Sequence, residues 1–347
     1  MAERILRVDH AKHDRLEQVT FDNTRQVRRI LYRVSSYWTI GVAALRRGVS
    51  LRSMLVTKFP FWFNDLPEPA SISVELTDAC NLKCVYCNNP GFANPRTFMT
   101  DELFDELIAR LAAVRCPRIR VGGGEPTVHP KFDRFSKRLA ECTPFLSIVT
   151  NGQWTNGKTI ETLLEHYQLV EISVDAGGPA IYESSRRGGS YATLAENIVR
   201  LGERKRILRS RALINIRLMV RPSTVDRLTE ERRRWSSHCD SIMPQYVMKR
   251  PETDYEDDVF HSPQVLAAQF PRCTLPFKDL QIRANGDVPL CQVTGSATDK
   301  ARKVIIGSIE RHSIAELWRS AALRTVRNAH RRRLNGDMEV CRGCSGR

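Results

Sequence analysis

The sequence lacks any apolar stretch of the roughly 20 residues that a membrane-crossing helix needs. The uncharged run from Val34 to Leu45 is much shorter. The first residues after Met1 also lack the apolar core of a secretory signal. We therefore expect the chain in the reducing cytoplasm, where its ten cysteines are not expected to form disulfides.

Acidic side chains are scarce as well. The 39 Asp and Glu residues face 54 Lys and Arg residues, and residues 1–60 alone hold 12 Lys and Arg against 5 Asp and Glu. A basic excess favours nucleic acid, a membrane surface or phosphorylated substrates, although a solvated basic face explains it equally well. Aromatic residues are not interleaved among the basic ones as in a base-stacking module, so no nucleic-acid partner is expected.

Residues 1–70 show no strand-like alternation and are predicted to form a basic helical N-terminal extension. Its aromatic cluster is predicted to pack on the main domain, with peripheral membrane contact as the alternative. The cluster consists of Phe59, Phe61, Trp62 and Phe63.

Residues 71–250 change to short apolar runs that alternate with helix-length amphipathic segments, which is typical of βα units and a parallel sheet. The predicted strands are Ile72 to Leu76, Ile119 to Gly122, Leu146 to Thr150, Val170 to Val174, Leu213 to Val220 and Ser241 to Val247. Six such units predict an α/β fold, a partial (β/α)6 TIM-like barrel with its site at the C-terminal strand ends. Thr100 is predicted to cap the helix between the first two strands.

Residues 251–347 are predicted to form a small α+β C-terminal domain, joined through the acidic stretch that ends at Asp258. Asn285-Gly286 suits a tight turn, so that Gln281 to Arg283 and Val288 to Leu290 are predicted to pair as a hairpin. Ser313 and Glu316 form a capping box that predicts a helix.

Three cysteines, Cys80, Cys84 and Cys87, follow the first predicted strand within one short loop. Soft thiolates at this spacing select an iron–sulfur cluster or zinc. No fourth cysteine is nearby, which would leave one iron with the open coordination position that a catalytic metal requires. A zinc site completed by a remote residue is the alternative.

The CxxxCxxC motif with Tyr86 before its last cysteine resembles the hallmark of the radical S-adenosylmethionine superfamily. The resemblance extends over residues 71–250 and implies a [4Fe-4S] cluster on the three cysteines, with S-adenosyl-L-methionine bound at the open iron. It further implies that an electron from the cluster cleaves the cofactor to methionine and a 5′-deoxyadenosyl radical, which abstracts a substrate hydrogen atom. A flavodoxin- or ferredoxin-type protein is the implied electron donor.

The same resemblance implies a set of cofactor-binding residues. These are Tyr86, Gly123, Gly124, Glu125, Asn151, Ser173 and Arg187. In related enzymes the Gly-Gly-Glu segment meets the amino group of the cofactor, a serine like Ser173 bonds the ribose, and an arginine like Arg187 pairs with the carboxylate. The alternatives are capped strand ends and, for the arginine, a surface ion pair.

Four further cysteines bracket the C-terminal region: Cys273, Cys291, Cys341 and Cys344. Four thiolates can fully ligate one more cluster. Their spacing resembles the SPASM and twitch extension of the superfamily, and particularly 2-deoxy-scyllo-inosamine dehydrogenases. The count is lower than in a full two-cluster SPASM module, so the resemblance implies a single auxiliary [4Fe-4S] cluster. A structural zinc on the same cysteines is the alternative.

These features favour a radical enzyme that oxidises an alcohol of a sugar or cyclitol, with the auxiliary cluster as electron acceptor. An epimerase is one alternative, in which Cys116, Cys142 or Cys239 donates a hydrogen atom instead of packing in the core. Maturation of a ribosomal peptide is another, and a non-catalytic metal- or nucleic-acid-binding protein is the alternative from a different class. The substrate is thus a small molecule or a peptide, and spacing identifies no catalytic base.

Overall fold

The computed structural model describes residues 68–87, 96–114, 116–247, 258–259, 273–292, 304–335 and 337–341. Several predictions lie outside the described residues. They concern the N-terminal extension up to residue 67 with its aromatic cluster, most of the acidic linker, and Cys344. The division into segments 1–70, 71–250 and 251–347 stays a prediction.

A seven-stranded sheet forms the centre of the fold, with the order β8-β7-β5-β4-β3-β1-β9 and every neighbouring pair parallel. The strands are β1 (Ser71–Glu75), β3 (Ile119–Gly122), β4 (Leu146–Thr150), β5 (Leu169–Asp175), β7 (Leu213–Val220), β8 (Ser241–Tyr246) and β9 (Asp279–Ile282). All six predicted strands are present, and the predicted α/β fold of the partial TIM-like type is confirmed.

Helices follow the strands in the order expected of βα units. They are α1 (Asp101–Ala112), α2 (Phe132–Cys142), α3 (Lys158–His166), α4 (Pro179–Ser185), α5 (Tyr191–Leu208), α6 (Leu228–Trp235), α7 (Ile314–Trp318) and α8 (Ala321–Arg332). The Thr100 side chain caps α1 by accepting a hydrogen bond from the Leu103 backbone, as predicted. The predicted capping box of Ser313 and Glu316 opens α7.

The two faces of the main sheet differ in chemistry, because successive side chains of a strand point to opposite sides. One face is apolar and packs against the helices; Ile72, Val121, Ile172 and Ile216 belong to it and are fully or almost fully buried. The opposite face, which we call the concave face, is polar. It carries Ser73, Glu75, Arg120, Ser147, Glu171, Ser173, Asn215, Arg217, Ser241 and Gln281.

The seventh strand, β9, comes from the region predicted to form a separate small domain. The tight turn after it is present, since the Gly286 N–H donates to Arg283 O at 2.9 Å and Gly286 has a φ of 81°. One backbone hydrogen bond crosses the turn, from the Arg283 N–H to Asp287 O at 2.9 Å, but the two segments do not form the predicted β ladder. Strand β9 pairs with β1, while β10 (Asp287–Pro289) pairs with β11 (Ile305–Ser308). Leu280 and Ile282 thereby enter the apolar core of the main sheet.

A short antiparallel ladder joins β2 (Lys83–Cys84) to β6 (Arg186–Arg187), and thus holds the cysteine loop to the region after β5. Within the described residues, no helix has the length and apolar character needed to cross a membrane.

Replacing Thr100 by alanine should lower the free energy of unfolding by about 1 kcal/mol, because an orphan N–H in the first turn of α1 loses its acceptor. Chemical denaturation monitored by circular dichroism measures this change. Thr155 is exposed, and Thr155→Ala should have a much smaller effect. Equal losses in the two variants would contradict the capping role.

Candidate active site

The cysteine loop lies at the C-terminal edge of the main sheet, directly after β1. Its backbone is fixed to the segment after β5, because the Val85 N–H donates to Ser185 O at 2.9 Å and Cys84 pairs with Arg186. The Cys87 N–H donates to Cys84 O at 3.1 Å and turns the loop back on itself. Two short strands and a turn thus bring the three predicted ligands to one place.

Hydrogen-bond donors surround two of the three sulfurs. Cys80 Sγ accepts from the Leu82 N–H at 3.4 Å and from Asn151 Nδ2 at 3.8 Å. Cys84 Sγ lies 4.0 Å from Arg186 Nη1. Donors aimed at sulfur stabilise the thiolate form, which is the form that ligates iron. This surrounding fits a metal cluster on these cysteines.

Burial works in the opposite direction on the same thiols. It raises the pKa of Cys80 to about 11 and that of Cys84 to about 12, and the neighbouring thiols raise both pKa values further. The thiols are therefore close enough to repel one another as thiolates, and only bound cationic metal would hold all of them deprotonated. Among the described residues, no three His, Cys, Asp or Glu side chains are grouped as a single metal ion requires.

A buried ion pair lies directly beneath the loop. Arg186 Nε donates to Asp175 Oδ1 at 2.6 Å, and the two side chains are 5% and 0% exposed. Tyr86 donates its hydroxyl to the same carboxylate at 2.6 Å, and the Ser185 hydroxyl donates to Oδ2 at 2.6 Å. The Arg186 guanidinium also lies over the Tyr86 ring, 5.9 Å from its centroid. The predicted cofactor residue Tyr86 is thus part of a network that links the loop to the end of β5.

The two neighbouring arginines of β6 have different environments. Arg186 is buried in this network, whereas Arg187 is exposed and pairs through its backbone with Lys83. Sequence reasoning selected Arg187 and missed Arg186 and Asp175. The assignment of Arg187 to the cofactor carboxylate stays a prediction.

The Gly-Gly-Glu segment packs tightly against the cysteine loop. The Gly124 N–H donates to Thr77 O at 3.0 Å, and the Glu125 N–H donates to Ala79 O at 2.8 Å. A Cβ atom at Gly124 would lie 2.1 Å from Ala79 O, and one at Gly123 would lie 2.3 Å from Glu75 Cγ. Glycine is needed here because any side chain would separate the two loops.

The Glu125 carboxylate, which is buried, joins the ends of β3 and β4. It accepts hydrogen bonds from the Thr127 backbone and hydroxyl, from the Thr150 hydroxyl at 2.7 Å and from the Asn151 N–H at 2.7 Å. Burial raises its pKa, and these hydrogen bonds lower it in part. Protein donors thus occupy much of the carboxylate that the resemblance assigns to the cofactor amino group.

Asn151 links strand β4 to the cysteine loop, since its Nδ2 donates to Asn81 Oδ1 at 2.7 Å as well as facing Cys80 Sγ. Ser173 lies on the concave face of β5, on the same side as Asp175 and two residues before it. The structure thus gathers the N-terminal cysteines, the Gly-Gly-Glu segment, Asn151 and Ser173 at or near one edge. Their roles toward the cofactor stay predictions.

Two of the C-terminal cysteines, Cys273 and Cys341, contact a histidine that sequence reasoning missed. The Cys273 N–H donates to His330 Nδ1 at 3.1 Å, and His330 Nε2 lies 3.7 Å from Cys341 Sγ. Cys291 is half-buried at the end of the segment that follows β10. His330 lies in α8, 11 positions before Cys341. This spacing matches no recognisable motif, so the sequence alone gave no signal for the contact.

Near these cysteines, Arg327 is a buried cation. Its Nε donates to Pro276 O at 2.7 Å and its Nη1 to Trp318 O at 2.8 Å, while Nη2 is buried without a hydrogen-bond partner in the described structure. Burial lowers the pKa of Arg327 to about 9, and Arg331 lowers it further. A buried cation is stabilised by nearby negative charge. A thiolate-ligated cluster supplies such charge, so the surroundings fit a cluster here as well.

The remaining cysteines lie at the other edge of the sheet. Cys116, Cys142 and Cys239 precede β3, β4 and β8, respectively, at the N-terminal ends of these strands. Each thiol donates to a backbone carbonyl, on Arg118, Arg138 and Trp235. Their predicted packing role agrees with their contacts to the apolar core.

Comparison with protein families identifies two domains. Residues 74–219 match the radical SAM superfamily, and residues 273–345 match the SPASM iron–sulfur cluster-binding domain. Iron–sulfur clusters and S-adenosylmethionine are therefore the cofactors, as predicted.

Two curated relatives are similar over part of the chain. GTP 3′,8-cyclase of Limosilactobacillus fermentum is 29% identical over 133 residues, which cover 37% of this chain and 40% of the relative. PqqA peptide cyclase of Methylobacterium nodulans is 30% identical over 148 residues, which cover 40% of this chain and 38% of the relative. The chain thus spans about two fifths of the length of these relatives.

A solved structure, SuiB of Streptococcus suis, shares the fold. The TM-score is 0.59 at 14% sequence identity, and the superposition covers 76% of this chain and 69% of the SuiB chain. At this identity the likeness concerns the fold alone.

Gly124→Ala should lower the affinity for S-adenosylmethionine at least about tenfold, a loss of about 1.4 kcal/mol, because the new Cβ forces the two loops apart. Gly122 is the matched control, since a Cβ there meets nothing within 4 Å. Binding is measured on anaerobically reconstituted protein by equilibrium dialysis. Equal affinity in the two variants would refute the tight loop contact.

Arg186→Leu should destabilise the chain by about 3 to 5 kcal/mol, because Asp175 is left as an uncompensated buried charge. Denaturant unfolding under anaerobic conditions measures this loss. Arg187→Leu changes the exposed neighbour and should leave stability nearly unchanged. If it instead weakens S-adenosylmethionine binding selectively, the predicted role of Arg187 is supported.

Proposed function

Since the chain is a radical SAM protein with a SPASM domain, we propose that it oxidises an alcohol of a sugar or cyclitol to a ketone. Cys80, Cys84 and Cys87 would hold the SAM-binding [4Fe-4S] cluster. The auxiliary cluster, single as in the twitch form, would be held by Cys273, Cys291, Cys341 and Cys344. In this role the chain acts as a dehydrogenase-like oxidoreductase.

The bound cofactors supply a hydrogen-abstracting radical and an acceptor for one electron. The alcohol carbon loses a hydrogen atom, its hydroxyl loses a proton, and one electron leaves the substrate, which balances a two-electron oxidation. The protein has to orient the carbinol, exclude water and accept the proton. Glu171 is the proposed proton acceptor, because it is a carboxylate on the concave face, 3.7 Å from Arg120 Nε.

The polar concave face is the observation that carries this proposal. Asn215 is fully buried there, and neither its amide nitrogen nor its oxygen has a hydrogen-bond partner in the described structure. Ser241 Oγ, on the neighbouring strand and in register with Asn215, also lacks one, as do Arg120 Nε and Gln281 Oε1. Unpaired buried donors and acceptors are costly unless a ligand or water pairs with them. A polyhydroxylated ring offers donors and acceptors at a matching density.

Peptide modification is the second candidate. It is favoured by the similarity to a PqqA peptide cyclase and by the shared fold with SuiB, whose structure has been determined with a precursor peptide. A peptide substrate would have to present polar groups to the same concave face, and the relatives match only part of the chain.

Epimerisation has less support from the positions of the cysteines. A hydrogen-atom donor has to reach the substrate radical. The thiols of Cys116, Cys142 and Cys239 instead contact the apolar core and donate to backbone carbonyls, and burial raises the pKa of Cys116 and of Cys239 to about 12. A non-catalytic role is disfavoured by the two cofactor-binding domains.

The proposed partners are a small-molecule substrate and a flavodoxin- or ferredoxin-type electron donor. Peripheral membrane contact through the basic N-terminal extension is retained as a proposal, because that segment lies outside the described residues.

The function is tested by incubating the anaerobically reconstituted chain with S-adenosylmethionine, reductant and a panel of carbon-deuterated aminocyclitols, sugars and candidate peptides. We expect deuterium from a carbinol carbon in 5′-deoxyadenosine, together with a ketone product. An epimer that carries solvent deuterium would contradict oxidation. Turnover confined to a peptide would establish the second candidate instead.

Asn215→Leu should reduce kcat/KM for the identified substrate at least about tenfold, since each lost hydrogen bond to a buried polar site costs on the order of 1.4 kcal/mol or more. Because the native amide has no hydrogen-bond partner among the described residues, the melting temperature should stay the same or rise. Asn328→Leu, at an exposed position of α8, is the control. A variant with lower stability and unchanged kcat/KM would show that Asn215 is structural.

A further inference from the structure

His330 lies between two of the proposed auxiliary ligands and is only 2% exposed. The Cys273 backbone N–H points at Nδ1, at 3.1 Å. On the other side of the ring, Nε2 faces Cys341 Sγ at 3.7 Å. One imidazole therefore contacts residues that are far apart in sequence and belong to the same proposed ligand set.

The first of these contacts fixes the tautomer. A ring nitrogen that accepts a hydrogen bond carries no proton, so the proton of the neutral imidazole is on Nε2. With its proton on Nε2, the ring has no lone pair directed at the site and donates to Cys341 Sγ instead.

We propose that His330 is a positioning residue of the auxiliary centre, which donates an Nε2–H···Sγ hydrogen bond to the Cys341 thiolate and raises the reduction potential of the cluster. Hydrogen bonds to ligand sulfurs stabilise the more negative, reduced form and are among the factors that set such potentials. This inference rests on the proposed ligation by Cys273 and Cys341.

Helix α8 also carries positive charge, which would likewise raise the reduction potential of the auxiliary cluster. Arg327, one turn before His330, is buried, and its guanidinium has a nitrogen without a partner in the described structure. Arg331 follows His330 directly and packs over the Phe277 ring. A helix face with a neutral donor and nearby guanidinium groups favours an additional electron on the centre. That property suits an acceptor of the substrate-derived electron.

The test uses two substitutions that differ by one methylene group. His330→Asn keeps an acceptor near the position of Nδ1 for the Cys273 N–H but is too short to reach Cys341. His330→Gln places an amide N–H near the position of Nε2 and keeps the donor. His166→Gln, in α3 of the main domain, is the control for a histidine away from the cysteines.

The full chain is reconstituted anaerobically, its iron and sulfide are quantified, and its clusters are titrated potentiometrically with electron paramagnetic resonance detection. The signal that changes on addition of S-adenosylmethionine belongs to the N-terminal cluster. The remaining signal is assigned to the auxiliary cluster, and its intensity is measured at each potential. We expect His330→Asn to lower the reduced-to-oxidised ratio of the auxiliary cluster about tenfold at a fixed potential, which corresponds to about 59 mV for one electron. His330→Gln and His166→Gln should stay close to the unmodified chain.

Equal potentials in His330→Asn and His330→Gln, with iron content retained, would overturn the hydrogen-bond role. Loss of one cluster in both variants would show that His330 is a ligand or a structural residue, which also overturns it. If the unmodified chain binds only the N-terminal cluster, the proposed ligation of an auxiliary cluster is refuted, and the role of His330 is refuted with it. That outcome is separate from a failure to oxidise alcohols, because no substrate enters the titration.

Discussion

The buried ion pair of Asp175 and Arg186 is the interaction on which the site depends. Asp175 ends β5, and Arg186 belongs to the two-residue strand that pairs with the cysteine loop. Because Tyr86 and Ser185 donate to the same carboxylate, the loop cannot move away from the sheet without leaving a buried charge unpaired. An otherwise irregular cysteine-rich segment is thereby given one defined position at the sheet edge.

The two faces of the main sheet have different roles: one contributes to stability, and the other carries polar groups. Apolar side chains on the helix-covered face provide the core, so that the concave face is free to carry groups that would be unfavourable in a packed interior. Several of these groups, such as Asn215 and Ser241, have no partner in the described structure. A fold that keeps such side chains buried is expected to use them for a ligand, since they contribute nothing favourable to folding alone.

The order of elements could be predicted because it depends on local patterns. Alternating apolar runs located all six βα strands, the Thr100 cap followed from its side chain, and cysteine spacing located the loop. What failed depends on contacts distant in sequence. Arg186 and Arg187 are chemically identical neighbours, and only Asp175 in the folded chain distinguishes them. The partner of β9 and the contacts of His330 are likewise decided by tertiary packing.

The position of β9 beside β1 has a consequence for biosynthesis. Ser71 and Asp279 are neighbours in the sheet although 208 positions separate them, so β1 keeps an unpaired edge until most of the chain has left the ribosome. The cysteines that follow β1 are therefore translated long before their scaffold is complete. Until β9 is added, that edge exposes unpaired backbone N–H and C=O groups, which favour pairing with another chain.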